Sequence, residues 1–504
     1  MTTQTIGKIC AFALYLGFMV YIGIRSSKKT NNAKDFFLGG RGIGPWVTAL
    51  SAEASDSSAW LLMGLPGLCY LGGVKETFWT AIGLIVGTYL NWLLVAKPLR
   101  KCSIAFGDSI TIPGFFKNRF KSERCNIISV VLIVFFFTIY TASGIVACGK
   151  LFRSVFGLNY TVGMVIGLVV ILSYTILGGY RAVCTTDFVQ GALIFVAFVI
   201  SGTIAVFALG GPAEAFSKAS EFSASALRGE LNADLQKVFT ANQSFSAMSA
   251  VSAFAWCLGY FGMPHIIVRF MGIRSNEEIK TARRVGIIWM IIAYIGAFVI
   301  GSLGTVYLKQ SNIILDAGTA ETVFSETMLK MFPAFIAGIF LCAILAASMS
   351  TADSQLLAVA STVSLDLYKA KINKDADEKK VLLVSRVTVF AVAIIAFGLC
   401  LLPNNNSIFG LVSYAWAGFG ATFGAIIFLA LFWKKCTADG ASAGLFVGFI
   451  TVVVWHNLHG GIFDIYEILP GFIATLIVAT VVSLFTKTKP GIEEKFDEYK
   501  NMAD

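Results

Sequence analysis

Charge is scarce in this chain. Only 13% of its 504 residues are Asp, Glu, Lys or Arg, about half the share of a soluble protein, while 57% are hydrophobic. That balance excludes a soluble enzyme, a nucleic-acid-binding domain and a disordered protein. Histidine is rarer still: three residues, at 265, 456 and 459, with no HExxH spacing. The ten cysteines form no CxxC pair and no Cys/His cluster, so neither a metal site nor a disulfide framework is supported. Most of them read as small apolar packing residues. The polar–apolar alternation of an outer-membrane barrel is missing too. No nucleophile–base pair or phosphate-binding loop appears, which argues against an enzyme.

What the chain has is length in apolar runs. A membrane-crossing helix needs about 20 apolar residues to cover about 30 Å of hydrocarbon. Runs separated by charged or Gly/Pro-rich breaks give about thirteen spans: 5–24, 43–73, 76–96, 127–149, 161–180, 188–210, 246–268, 285–308, 332–365, 385–402, 408–433, 440–457 and 467–486. The first is too long for a secretion signal and lacks a basic leader, so it counts as a true helix. Short surface helices are expected in the loops near 211–245 and 309–330. The tail from 488 to 504 and the KAKINKDADEKK loop read as solvated faces.

Lys and Arg fix the expected orientation. Alternate loops, at 25–41, 97–124, 181, 269–284, 369–386, 434–435 and beyond 486, carry 30 of the 39; the opposite side carries nine. The basic side should be cytoplasmic, with the N-terminus outside and the C-terminus inside. The net charge of +10 follows from this asymmetry and implies no nucleic-acid partner.

Two spans are interrupted in the same way. The second reads ALSAEASDSSAWLLMGLPGLCYLGG and the seventh SAFAWCLGYFGMPHIIVRF, both with Gly and Pro in mid-membrane. Paired broken segments point to inverted repeats, here spans 2–6 and 7–11, with a binding site at the breaks. A carboxylate at mid-membrane, Asp56, costs at least about 2.5 kcal/mol and needs compensation. No basic residue falls in the interior of any span; Lys8 and Arg386 lie near the ends of theirs. A helix that unwinds at Asp56 would offer carbonyls, hydroxyls and a carboxylate, the hard oxygen ligands of an alkali cation; a static ion pair is the alternative.

The ninth span holds a second polar cluster, with Ala347 and Thr351 on one helical face and Ser350 beside them. Six polar residues from Ser348 to Gln355 are too many for hydroxyls merely bonding back to their own helix. Trp60, Tyr140, Trp256, Tyr260 and Phe261 gather around the breaks and could line a pocket or simply pack. Asp187 reads as a helix N-cap or a functional carboxylate, and Arg41 as an interfacial anchor or part of the machinery. Glu53 has no evident place.

At these residues the sequence resembles the sodium/solute symporter family, and within it the branch that carries proline. The matching stretches are FLGGRGIGPWVTALSAEASDSSAWLLMGLPG, FFFTIYTASGIVA, YTILGGYRAVCTTDFVQ, WCLGYFGMPHIIVRFM, AILAASMSTADSQLLAVAS with DLYK, and GLVSYAWAGFGATFG. The resemblance implies an all-α polytopic membrane protein of about thirteen transmembrane helices, with a five-plus-five inverted-repeat core of the leucine-transporter type. The transporter domain would be 1–487: a peripheral first helix at 5–24, repeats at 43–210 and 246–433, and two additional helices at 440–486. A cytoplasmic tail, 488–504, would follow.

The resemblance also assigns roles. Sodium would bind where spans two and nine meet, through Ala54, Asp56, Ser57, Ala347, Ser350 and Thr351. Ser58, Trp60, Tyr140, Trp256, Tyr260 and Pro264 would bind substrate. Arg41, Glu53, Asp187 and Asp353 are candidates for coupling or for a second ion. Where the proline branch has Met-Ser-Gly-Trp after the Asp, this chain has Ser57-Ser58-Ala59-Trp60, and the Ala59 methyl stands where backbone is expected to approach ligand. The implied function is sodium-coupled symport of L-proline by alternating access, in the cell membrane of a bacterium. Sodium is the coupling ion, with no other cofactor and no obligate protein partner. Alternatives are another amino acid, a short carboxylate, pantothenate or a sugar as cargo, or a transporter-like sensor or channel.

Overall fold

The computed structural model describes residues 2–27, 33–227, 245–403 and 405–502. These are helical nearly throughout; no strand occurs among the described residues, and Ile43 and Ile273 make an isolated bridge. Among the described residues, ten helices are long and apolar enough to cross a membrane. They are α1 (Thr3–Ser27), α3 (Val74–Ala105), α4 (Glu123–Phe156), α6 (Tyr180–Ala208), α8 (Glu278–Gln310), α9 (Ala334–Ile372), α10 (Glu378–Cys400), α11 (Ile408–Phe432), α12 (Ala438–His456) and α13 (Ile468–Phe485). Three more complete the expected order. α5 (Tyr160–Gly178) is a shorter apolar rod, and α7 is the pair Ala247–Phe261 and Pro264–Gly272, bent by 43°. α2 comes in two parts, Pro45–Ala59 and Leu65–Gly72. Thirteen helical segments thus stand where thirteen spans were expected, most of them longer than the apolar runs because polar turns extend their ends.

Local chemistry sets the boundaries. Ser122, Asp377 and Ser407 cap α4, α10 and α11 by accepting from the N–H groups of Cys125, Lys380 and Gly410. Gly157, at φ 67°, closes α4 in the left-handed conformation that costs glycine least. In α2 the irregularity sits at Ser58, whose φ of 44° is strained for a residue with a Cβ and costs about 1–3 kcal/mol. A π-turn over Trp60–Gly64 follows. Ala59 keeps an ordinary helical φ of −60°, so its methyl adds no backbone strain. α7 breaks at Gly262–Met263, and Pro264 opens its second half where a missing N–H is harmless.

α2 lies at the centre, packed by α6, α8 and α9, with α4 along α9 and α1 outside them. The loop expected to hold surface helices contains Pro212–Leu227, and its remainder, 228–244, lies outside the described residues. A second such helix is Val323–Met331.

The tail is not a free solvated segment. Residues Ile492–Asn501 form a helix that buries Ile492, Phe496 and Tyr499. Arg119, fully buried in a short helix at Ile112–Phe120, sits 4.9 Å from the Phe496 ring and donates to the Ala430 carbonyl at 2.9 Å. Tyr499 donates to the Leu431 carbonyl at 3.3 Å. The tail helix therefore closes the free carbonyl end of α11. Phe496→Ala, which removes both ring burial and a cation–π contact, is expected to destabilise the protein by about 3 kcal/mol. A lowered thermal midpoint in detergent reads this; an unchanged midpoint would mean that the tail contributes no stability.

Candidate functional site

The two polar clusters meet. α9 crosses α2 so that the Ser350 hydroxyl donates to the Ala54 carbonyl at 2.8 Å and the Thr351 hydroxyl donates to the Ser55 carbonyl at 2.8 Å. Ser350 also reaches the Ala347 carbonyl at 3.2 Å. Both carbonyls belong to the stretch just before the Ser58 break, and every one of these groups is buried. The Ser57 hydroxyl turns back to the Glu53 carbonyl at 2.6 Å, while the Ser57 carbonyl accepts from the Trp60 N–H. Ala54, Ala347, Ser350 and Thr351 therefore share one place, with Ser57 at its edge.

Asp56 faces elsewhere. Its Oδ2 accepts the Tyr260 hydroxyl at 2.5 Å, and its side chain lines a narrow cavity with Ser57, Trp60, Tyr140, Trp256 and Tyr260. No Arg or Lys lines this cavity among the described residues, so a static ion pair does not explain Asp56. Trp60 and Trp256 close it with ring centroids 5.1 Å apart, and Phe409 stacks on Trp60 at 6.0 Å. Beyond Trp256 and Phe409 lies a wider vestibule of about 480 Å³. Ser58 sits at the break, its hydroxyl accepting from the Trp60 N–H at 3.1 Å. Pro264 lines a separate small cavity on the other side, with Arg269 and Ser354.

Four further walls of the central cavity come from residues that sequence reasoning did not select: Leu84, Tyr294, Val412 and Trp416. Trp416 donates to the Trp256 carbonyl at 2.8 Å and meets the Tyr260 ring edge-on at 4.9 Å. The motif GLVSYAWAGFG offered a signal for Trp416; nothing in the local pattern marks Tyr294.

Asp187 is not an N-cap. It stands in the second turn of α6, fully buried, and pairs with Arg269 at 2.8 Å. The expectation that no basic residue falls inside a span also fails, because the helix of α7 continues past 268 and carries Arg269 inward, 2% exposed. Arg269 further donates to Ser51 at 2.8 Å, to Ser354 at 2.6 Å and to the His265 carbonyl. One guanidinium thus joins α2, α6, α7 and α9, and a buried charge tolerates this only with its donors so satisfied.

The remaining candidates stand apart. Arg41 bonds Asp108 at 2.9 Å, the Ser109 carbonyl at 3.1 Å and the Met271 carbonyl, tying the entrance of α2 to the loop after α3 and to the end of α7. Burial lowers the Arg41 pKa and Asp108 opposes the shift. Glu53, buried between α2 and α3, accepts from the Trp92 indole at 3.2 Å. Asp353, on α9, accepts from Thr175 of α5. Three buried oxygens in this region have no partner among the described residues: Asp353 Oδ2, Asp187 Oδ1 and Gln190 Oε1. Among the described residues no group of three or more His, Cys, Asp or Glu side chains could hold a metal ion.

Comparison with known proteins agrees with this architecture. The family model described as sodium:solute symporter family matches residues 36–448. A high-affinity proline transporter, PutP, of Bacillus subtilis is 42% identical over 487 residues, covering 96% of this chain and 99% of the relative. A sodium/proline symporter of Escherichia coli is 41% identical over 491 residues, covering 97% and 95%. Among solved structures, a Na+-coupled sialic acid symporter in a substrate-bound outward-open state superposes with a TM-score of 0.78 at 20% identity, over 96% of this chain and 99% of that one. The transporter Mhp1 in a closed conformation gives 0.55 at 14%, over 94% and 99%. These likenesses place the thirteen helices in the inverted-repeat transporter fold. This multi-pass membrane protein belongs to the sodium:solute symporter family.

Proposed function

We propose that the protein couples the entry of sodium to the uptake of L-proline by alternating access, in the cell membrane of a bacterium, with its N-terminus outside and its C-terminus in the cytoplasm. The observation that carries the ion half of this reading is the meeting of Ser350 and Thr351 with the carbonyls of Ala54 and Ser55. Two hydroxyls and a set of helix-break carbonyls at mid-membrane are the oxygen ligands an alkali cation takes in place of water. Sodium would displace these hydrogen bonds, turning the hydroxyls from donors into ligands beside the Ala54, Ser57 and Ala347 carbonyls. The relatives named for proline, more than 40% identical over nearly their whole length, support the cargo.

Trp60, Tyr140, Trp256 and Tyr260 form the wall against which an apolar ring would lie, with Ser58 shaping the break and Pro264 below it. Trp256 and Phe409 form the lid toward the vestibule. Arg41 and the Asp187–Arg269 pair close the cytoplasmic side. The unpaired oxygens of Asp353, Asp187 and Gln190 favour a second cation or a proton in that region; Glu53, inside the α2–α3 contact, serves packing. One sodium moving down a tenfold gradient and 100 mV supplies about 3.7 kcal/mol, enough for about 500-fold accumulation.

The test is radiolabelled L-proline uptake into proteoliposomes under an inward sodium gradient, with potassium, lithium and proton gradients as controls. Concentrative uptake should require sodium. Ser350→Ala should raise the sodium concentration for half-maximal uptake about 10- to 100-fold, the worth of one ligand to a charge. Sodium-driven accumulation of a different solute, with proline inert, would overturn the cargo and leave the symport standing.

A further inference from the structure

We infer that a basic pocket, at the junction of the short helix Ile112–Phe120, the start of α4 and the tail helix, holds the phosphate of an anionic phospholipid whose acyl chains run along α4. The pocket encloses about 320 Å³. Its walls come from the basic loop 97–124 and the tail, and include Lys117, Asn118, Lys121, Glu123 and Lys495.

The one carboxylate among them is already satisfied: Glu123 accepts from Lys117 at 2.9 Å and from Lys371 of α9 at 2.5 Å. The ammonium groups are not. Lys121 donates to the neutral Pro490 carbonyl at 2.6 Å, which occupies one of its three N–H donors. Lys495 has no hydrogen-bond or ion-pair partner among the described residues. Four cations thus stand against one anion, and the surplus suits a phosphate, which accepts the remaining donors in charge-assisted bonds. Lys121 also closes the short helix at φ 48°, a left-handed conformation that glycine adopts at less cost, yet the residue is a lysine. Its carbonyl accepts from Lys489 at 2.7 Å, so the tail holds this turn at two points.

A second observation favours a lipid over a soluble phosphate. Ile127, Val131 and Phe135 follow Glu123 along α4 at four-residue spacing, and all three are exposed. On a spanning helix such an apolar stripe meets acyl chains. A headgroup seated among the lysines leaves its chains on this stripe, the arrangement by which basic pockets between spanning segments take anionic lipids. The phosphate then ties Lys495 of the tail helix to Lys117 and Lys121, and so reinforces the helix that closes the carbonyl end of α11.

The full chain, purified and delipidated in detergent, is titrated with phosphatidylglycerol, with phosphatidylcholine of the same acyl chains, and with glycerol 3-phosphate. Native mass spectrometry reads the binding. Phosphatidylglycerol should bind at least about 10-fold more tightly than phosphatidylcholine, whose choline cancels the phosphate charge. In Lys117→Gln/Lys121→Gln/Lys495→Gln the preference should fall to about twofold or less. Lys374→Gln/Lys379→Gln/Lys380→Gln removes the same charge from exposed positions between α9 and the first turn of α10, and should keep the preference. Lys495→Gln alone, at an exposed position of the tail helix, guards against misfolding of the first triple variant and should lower the preference about threefold.

Absence of a preference in the unaltered protein would overturn the proposal. So would a full preference in the first triple variant, or in Lys495→Gln if that triple variant does not fold. An equal loss in the Lys374→Gln/Lys379→Gln/Lys380→Gln protein would overturn it by reducing the effect to diffuse surface charge. Glycerol 3-phosphate binding as tightly as phosphatidylglycerol, and lost with the three pocket lysines, would overturn the lipid and make the pocket a site for a soluble phosphate.

Discussion

Arg269→Met is expected to abolish transport and to remove a large part of the protein's stability. The guanidinium is buried and bonds Ser51, Asp187, Ser354 and the His265 carbonyl. Its loss leaves the Asp187 carboxylate buried with the Ser51 hydroxyl at 2.7 Å and an Oδ1 that already lacks a partner among the described residues. Breaking a buried pair from one side costs about 3–5 kcal/mol, because the surviving charge is uncompensated. The cure for that charge is known: Asp187→Asn in the same chain. The double variant should recover most of the thermal midpoint lost by Arg269→Met, since a neutral amide is far cheaper to bury. It should not recover transport, because no ion pair remains to join α2, α6, α7 and α9. Thermal unfolding in detergent and proteoliposome uptake, measured on all three proteins, separate the effects. Equal stability of the single and double variants would show that Asp187 carries no buried charge. Uptake restored in the double variant would show that the pair plays no part in the cycle.

The same pair marks the limit of what the sequence discloses. Helix count, broken segments and the two polar clusters were legible because each is local: an apolar run, a Gly or Pro in mid-run, several hydroxyls within one turn. The contact of Ser350 with Ala54 follows once two clusters are known to cross. Arg269 escaped because an apolar window ends where charge begins, whereas the helix continues through His265 to Gly272 and carries the charge inward. The N-cap alternative for Asp187 fails for the same reason, since the chain is already helical from Tyr180. Tyr294 and Trp416 enter the cavity wall from α8 and α11, and no spacing rule relates them to Asp56. The tail reads as charged, yet Ile492, Phe496 and Tyr499 fall on one helical face and are buried together. Its partner is the Arg119 guanidinium of a short helix distant in sequence.

Gly262→Ala should be nearly as damaging as the loss of Arg269, by a purely steric route. Gly262 adopts φ −115°, which any residue accepts, so the constraint is space. A Cβ there would stand 2.1 Å from the Phe419 carbonyl oxygen and 2.6 Å from the Gly424 nitrogen, both backbone atoms of the irregular turn in α11. Neither can rotate away as a side chain would. The break of α7 must therefore move off α11, and overpacking of this kind costs about 1–3 kcal/mol or more. The displacement also acts on the cavity. Trp416 of α11 holds the Trp256 carbonyl and abuts Tyr260, so shifting one helix against the other misplaces the aromatic wall and the hydroxyl on Asp56. Uptake of L-proline is expected to fall about 100-fold, as for a binding constellation displaced by about 1 Å. Gly44→Ala is the matched control: it precedes α2 at φ −72° with open space around its added methyl, and its uptake should stay unchanged. If Gly262→Ala transports within twofold of the unaltered protein, the contact of the two breaks is not what sets the cavity. The small residue at 262 would then serve assembly alone, and the closeness of α7 to α11 would be incidental to transport.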